Sequence, residues 1–440
     1  MLDAALATPA PEASSFAELG VSDALVKALA RRGINAPFAI QTRALPDGLA
    51  GRDLLGRAQT GAGKTLAFGL PMLDRLAGRR SRPGHPRGLV LVPTRELAMQ
   101  VADELRPLAD AVGLRVVAVF GGAPYGRQLA ALQRGTDIVV ATPGRLTDLI
   151  DRGACSLDAV AIAVLDEADH MADLGFLPAV IRLLDDVPAD GQRLLFSATL
   201  DRGVDRLVRA YLNDPAVHAI APAASPVESM DHQVFLLEHA DKIAVAAEIA
   251  ARPGRTLVFV RTKHGADRLA KQLTKLGAEA AAIHGNLGQG ARQRALAGFA
   301  AGHPRVLVAT DVAARGIHVD DVDLVVHFDP PQDSKDYLHR SGRTARAGAS
   351  GTVVSFVIPA ERRGVERLHR DAKVSPTAVR VAPGHEAVQR IAASGTPVPP
   401  PPAIDVARSA RPKRKPNHPR AHGNARRDFG RGRPRRGTAA

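Results

Sequence analysis

The sequence predicts two α/β domains in tandem, each a parallel sheet flanked by helices, with a disordered basic C-terminal tail. Three observations predict it. Short apolar runs alternate with helical patterns in two successive series, the mark of parallel sheets covered on both faces. A stretch with two Pro and two Ser, Ala221 to Ser229, separates the series. The chain has 440 residues, more than one hydrophobic core serves.

In chain order, residues 1–15 are rich in Ala, Pro and Ser and are expected to be disordered. The first domain is expected over 16–222. Helical patterns fill Phe16 to Leu55 around a turn at Gly33. Strand-like runs stand at Asp53–Leu55, Gly88–Val92, Arg115–Phe120, Asp137–Ala141, Ala161–Leu165 and Arg193–Phe196. Residues 223–230 read as the linker. The second domain is expected over 231–382, with runs at Val234–Leu237, Thr256–Val260, Ala278–Ile283, Arg305–Ala309, Leu324–Phe328 and Thr352–Val357. From 383 to 440 the chain reads as a Pro/Arg/Gly-rich tail that cannot bury a core.

Composition narrows the class. Hydrophobic content of 45% with 24% charged residues is that of a soluble globular protein. One cysteine, Cys155, excludes an internal disulfide framework and reads as a packing residue in a reducing compartment. No apolar run reaches the length of a membrane span, and Met1 to Pro11 has no basic region before an apolar stretch, so a cytoplasmic protein is expected. The net charge is +14. From Arg408 to Arg436, 12 Lys/Arg face one acid, Asp428, which puts +11 there and leaves +3 for the rest. A polyanion partner is therefore implied mainly by the tail. Aromatic content of 3% without Trp argues against base stacking as the main mode of binding.

Two motifs point to nucleotide chemistry. Ala58-Gln59-Thr60-Gly61-Ala62-Gly63-Lys64-Thr65 follows a strand and precedes the helical run Leu66 to Leu76. Its glycines let backbone N–H groups from Thr60 to Gly63 curl around phosphate oxygens, and a helix N-terminus adds its dipole. Lys64 reaches the β/γ-phosphates and Thr65 can ligate Mg²⁺. About 100 residues on, the buried run Ala161–Leu165 ends in Asp166-Glu167-Ala168-Asp169. Acids at the end of a buried parallel strand stand where open α/β sheets bind ligands. One of these acids can hold Mg²⁺, directly or through its waters, and the other can orient and deprotonate the attacking water.

With these residues the chain resembles the DEAD-box ATP-dependent RNA helicases of bacterial type, over roughly residues 16–358. The resemblance implies two RecA-like domains, the first with the ATP-binding motifs and the second with arginine fingers. Gly33-Ile34-Asn35-Ala36-Pro37-Phe38-Ala39-Ile40-Gln41 is similar to the family's Q motif, so Gln41 is expected to read adenine. Phe16 matches its isolated upstream aromatic, and Ile34 stands where relatives often have an aromatic. Thr94 and Arg95 in Pro93–Leu97, Gly121-Gly122, and Thr142-Pro143-Gly144-Arg145 resemble the RNA-contacting motifs. Ser197-Ala198-Thr199 resembles the motif that couples hydrolysis to strand separation.

In the second domain Gln289, Arg292 and Thr310 fall on RNA-contacting positions. Gly316 falls in the ribose motif, where His318 stands in place of the usual Asp. Tyr337 to Gly348 matches the arginine-finger motif, with Arg343 and Arg346 expected to neutralise γ-phosphate charge, on one face if the segment is helical. The implied function is RNA-stimulated ATP hydrolysis, with ATP and Mg²⁺ as cofactors, driving local unwinding of short RNA duplexes or remodelling of RNA–protein complexes. Contacts to phosphate and sugar imply sequence-tolerant RNA binding. A monomer is expected, with the tail as an RNA tether. An ATP-gated RNA clamp and a DNA helicase of the wider superfamily stay open as alternatives.

Overall fold

A computed structural model of the chain describes residues 15–58, 61–220, 230–314, 322–345 and 351–397. The first apolar series forms strands β1 (Leu54–Arg57), β2 (Gly88–Leu91), β3 (Val116–Val119), β4 (Ile138–Ala141), β5 (Ile162–Leu165), β6 (Gln192–Ser197) and β7 (Ala216–Ala219). The second forms β8 (Met230–Leu236), β9 (Arg255–Phe259), β10 (Ala280–Ile283), β11 (Val306–Ala309), β12 (Val322–His327), β13 (Gly351–Val357) and β14 (Thr377–Arg380). They build two seven-stranded sheets, β3-β4-β2-β5-β6-β1-β7 and β10-β11-β9-β12-β13-β8-β14. Counted within each domain, the two orders are identical. Every pairing is parallel, as helices crossing between strands require.

Central strands are buried on both faces and read as unbroken apolar runs, with β5 and β11 buried at every position. One layer of the first core packs the helix Lys64–Leu76 against the sheet, with the Phe68 and Phe196 rings 5.7 Å apart. The other layer packs Leu146, Leu149, Val180 and Leu183 from the facing helices. The second domain repeats this plan with its own two layers.

Parallel pairing puts all carboxyl ends of a sheet on one edge. The neighbours β5, β6 and β1 are in register, with Leu165 beside Leu195 and Arg57 beside Ser197. The phosphate loop, the acids and Ser197-Ala198-Thr199 therefore emerge side by side from three adjacent strands.

The structure departs from the sequence reading at the sheet edges. β7 and β14 were not foreseen, and both are edge strands without a continuous apolar run. The expected tail from 383 holds the helix Glu386–Ala392, whose Val388 and Ile391 are buried in the second core. Ala387, Val388 and Ile391 share one helical face, which is why this short segment docks. Of the expected linker, all but residue 230 lies outside the described residues, as do 1–14 and 398–440. Cys155 is buried, and burial, with Asp158 adding to it, pushes its thiol up to about 12, in keeping with a packing role. Among the described residues no helix is long and apolar enough to cross a membrane.

Candidate nucleotide and RNA site

β1 runs out through Ala58 into the phosphate loop. Gly61 and Gly63 take positive φ, +90° and +83°, which only glycine adopts without strain. Gly63 caps the helix Lys64–Leu76 without a side-chain cap, so the first N–H groups of that helix are left for an anion. Lys64 is 6% exposed, and its Nζ has no hydrogen-bond partner and lies 3.8 Å from Asp166 Oδ1. A buried, unpartnered ammonium at a helix N-terminus beside open space at Gly61 fits a phosphate group. Thr65 is the second residue of the same helix and lies near Glu104, whose carboxyl is raised by burial against the opposing influence of Thr65 and the charge of Arg32.

The acids leave β5 through a strained turn. Glu167 has φ +53° at the start of the helix Ala168–Asp173, a left-handed conformation that costs roughly 1–3 kcal/mol in a residue with a side chain. Asp166 and Glu167 are 3% and 4% exposed. Burial raises the Asp166 carboxyl to about 6, with Lys64 opposing and Glu167 adding. Burial would raise Glu167 too. The hydrogen bond from His170 Nδ1 at 2.8 Å and the charges of His170, Lys64 and Arg343 outweigh it, so this carboxyl is held well below the usual range. The neighbours thus differ in character, one poised for a cation and one held ionised. Asp169 faces β6, where it accepts from Thr199 N at 2.9 Å and Thr199 Oγ1 at 2.8 Å, while its own N–H donates to Ser197 Oγ at 3.3 Å. Asp166 and Thr65 offer hard oxygen donors on the phosphate side. Among the described residues no three His, Cys, Asp or Glu gather into a metal cluster. The Asp166 carboxylate and the Thr65 hydroxyl fit Mg²⁺, which takes one or two protein oxygens and completes its shell with phosphate and water.

Gln41 is 1% exposed, and both ends of its amide are used. Oε1 accepts from Phe38 N at 2.8 Å, and Nε2 donates to Gly63 O at 2.9 Å. It ties the helix Ala39–Leu49 to the phosphate loop. Phe16 is 2% exposed inside the first core, so in this arrangement it presents no ring face to a base. Ile34 packs partly buried against the same core.

The expected RNA motifs gather around a cavity of about 400 Å³, lined by Thr94, Arg95, Gly121, Thr142, Gly144 and Arg145 of the first domain and by Gly285 and Arg292 of the second. Thr94 caps the helix Arg95–Ala111 and Pro143 opens the helix that follows Thr142. Gly122 has φ +81°, and a methyl there would lie 2.4 Å from Arg95 Nη1. Arg145 is held by Gln128 Oε1 at 3.3 Å and Ala123 O at 3.4 Å. Gln289 and Arg292 lie against Glu96, with Gln289 Nε2 at 3.2 Å and Arg292 Nε at 2.9 Å from its Oε1. They join the two domains at the rim of the cavity. Thr310 follows β11 and donates its N–H to Ile283 O at 3.3 Å, outside the cavity lining.

Comparison with known proteins agrees with this geometry. The DEAD/DEAH box helicase profile matches residues 38–207, and the helicase conserved C-terminal domain profile matches 241–348. The chain belongs to the DEAD-box helicase family. The ATP-dependent RNA helicase CshA of Listeria monocytogenes is 41% identical over 79% of this chain and 67% of its own length. The mitochondrial DEAD-box ATP-dependent RNA helicase 9 of Arabidopsis thaliana is 41% identical over 81% of this chain and 59% of its own. The chain spans about half to three fifths of the plant relatives it matches. Dbp5 of S. cerevisiae, solved bound to RNA and ADP BeF3, superposes with a TM-score of 0.74 at 30% identity, over 86% of this chain and 99% of that one. The tandem RecA-like architecture is thereby shared.

In this DEAD-box chain the arginine motif begins in the helix Ser334–Ser341, capped by Asp333. The helix stops at Ser341, so Arg343 lies beyond it in a turn, 6% exposed, and the helical spacing to Arg346 does not apply. Arg346, Thr60, Gly316 and His318 lie outside the described residues. Arg340 is 4% exposed and forks onto Asp311 at 2.5 and 2.8 Å, fixing the helix in the second domain. Sequence reasoning missed His170, Glu96 and Phe38. His170 stood one turn after Glu167 at i, i+3, a spacing that could have flagged it. Glu96 follows two expected RNA contacts, but its partners are 193 and 196 residues away and left no local signal. Phe38 sits within the Q motif, 61% exposed against Gly63.

Proposed function

We propose that the chain is an ATP-dependent RNA helicase that couples ATP binding and hydrolysis to local opening of short RNA duplexes or to remodelling of RNA–protein complexes. One observation carries this reading: the cavity that gathers the first domain's expected RNA motifs is completed by Gly285 and Arg292 of the second domain, whose Arg343 also bears on Glu167 through its charge. ATP binds with its phosphates on Lys64 and the N–H groups of Gly61 to Lys64. Thr65 and Asp166 would hold Mg²⁺, which neutralises phosphate charge when bound. Glu167, kept ionised and oriented by His170, takes the proton of the attacking water. Arg343, joined by Arg346, neutralises charge building on the transferred phosphoryl group. Asp169, bonded to Ser197 and Thr199, passes changes at the acids to β6. Single-stranded RNA lies in the shared cavity, held by hydroxyls, backbone N–H groups and arginines, and so without sequence preference.

The solved relative bound to RNA and ADP BeF3 supports the pairing of ligands. We read the protein as a cytoplasmic monomer. Steady-state ATP hydrolysis, with and without single-stranded RNA and with matched DNA as control, tests the proposal. RNA is expected to stimulate turnover, DNA is not, and Glu167→Gln is expected to lower stimulated turnover by about 100-fold or more. Equal stimulation by DNA moves the chain to the wider superfamily. RNA-stimulated turnover without strand displacement makes it a clamp.

A further inference from the structure

We propose that Lys335 is a positioning residue, a latch that holds the arginine-bearing helix of the second domain on the first and so sets the closure that delivers Arg343 to the acid pair. This rests on the phosphoryl-transfer reading above. The helix Ser334–Ser341 has two working faces. Tyr337 and Arg340 anchor it in its own domain, Tyr337 through His232 Nδ1 at 2.6 Å and Arg340 through Asp311. Lys335 and His339, spaced i, i+4, share the face turned toward the first domain. The His339 ring lies 5.0 Å from the ring of His170, which holds Glu167. One turn earlier, Lys335 Nζ lies 2.7 Å from Asp173 Oδ1 and 3.0 Å from Asp201 Oδ2.

The two acids are well placed for such a role. Asp173 ends the helix that Glu167 begins. Asp201 caps the helix Arg202–Tyr211, two residues after Thr199 of Ser197-Ala198-Thr199, and its other oxygen is taken by Gly203 N and Val204 N at 3.0 Å each. A single lysine therefore clasps both segments that hold the acids. Without it, Asp173 and Asp201, both on the first domain, lose the one cation that the second domain brings to them, and an attraction across the cleft is gone. Lys335 is 32% exposed and Asp201 35%, so the clasp is partly screened by water and salt. Its weight in the closed-to-open ratio is about three- to tenfold, enough to tune closure without being the chemistry.

The test uses the full chain. Lys335→Met is expected to raise the RNA concentration for half-maximal ATPase by about three- to tenfold, with turnover at saturating RNA within about twofold of wild type. Lys335→Asp should be weaker still, and Lys335→Asp with Asp173→Lys should recover most of the loss. Raising salt should narrow the gap between wild type and Lys335→Met. Wild-type half-saturation in Lys335→Met, or a double reversal as weak as Lys335→Asp alone, overturns the latch. So does a fall in saturated turnover with half-saturation unchanged, which would put Lys335 in the chemistry. Absence of RNA-stimulated hydrolysis in wild type would overturn the proposed function instead. The latch is then read from fluorophores on Asp110→Cys and Lys275→Cys, where Lys335→Met must open the domains at lower salt than wild type does.

Discussion

Phe38 is 61% exposed, one of two large apolar side chains that the described residues leave in water, and a methyl built on Gly63 would lie 2.5 Å from its ring. An aromatic held in water beside a phosphate loop, by a backbone N–H bonded to Gln41, is arranged for a ligand rather than for a core. Phe38→Ala is expected to raise the ATP concentration for half-maximal turnover by about three- to tenfold while shifting folding stability by less than about 0.5 kcal/mol. Titrating ATP at saturating RNA, with a denaturation curve beside it, checks both. An unchanged half-saturation would leave the ring as packing for the loop alone. The residue scale also shows what sequence could not carry. Gln41 was legible as part of a nucleotide motif, because its neighbours are contiguous. That its amide is spent on Phe38 and Gly63 depends on a contact 22 residues away.

Among the elements, the strands read from sequence are those with an apolar run, fully buried in β5 and β11 and half-buried in the edge strands β3 and β10. β7 and β14 lie at sheet edges, where β7 carries His218 and β14 is mostly exposed, so nothing forces that signature. The helix Arg362–Asp371 has a further consequence. It lays His369 against Tyr337, ring centroids 4.9 Å apart, in a pocket that also holds His232 and His327. Burial, with the nearby His232 adding, lowers His369 from 6.5 to about 4, and His327 is lowered well below its ordinary value by burial and the charge of Arg340. These imidazoles are held neutral. Between pH 6.5 and 4 the unfolded chain binds a proton at His369 that the folded chain does not. Its stabilising term is therefore whole above 6.5 and is lost as pH falls toward 4, by about 3 kcal/mol in all. Asp166, raised to about 6, acts in the opposite sense, so the comparison must be with a variant. Urea unfolding of wild type and His369→Leu at pH 7 and pH 5 should show a shallower pH dependence in the variant. Parallel curves would remove His369 from the acid sensitivity.

At the scale of the whole molecule, two kinds of long-range organisation differ in what a sequence can reveal. Contacts that join the domains, such as Gln289 with Glu96 or Lys335 with Asp173, pair residues 193 and 162 positions apart. No periodicity encodes them. Charge needs no such geometry. The net charge of +14 leaves +3 for residues outside Arg408–Arg436, and every residue assigned here to nucleotide or RNA stands before that segment. As an RNA tether, its 12 Lys/Arg would act by releasing counterions from the polyanion, at a slope of about −0.7 in log affinity against log salt for each phosphate met on a single strand. Truncation after Pro397 is therefore expected to weaken RNA binding at low salt and to flatten the salt slope by as much as about 8 if all 12 cations engage. Turnover at saturating RNA should stay within about twofold if the tail acts only by raising the local RNA concentration. Anisotropy titrations of a labelled single strand at several salt concentrations, with ATPase at saturation, decide it. A slope equal to that of the full chain would mean that the tail meets a different polyanion, and a collapse of saturated turnover would mean that it acts on the site itself.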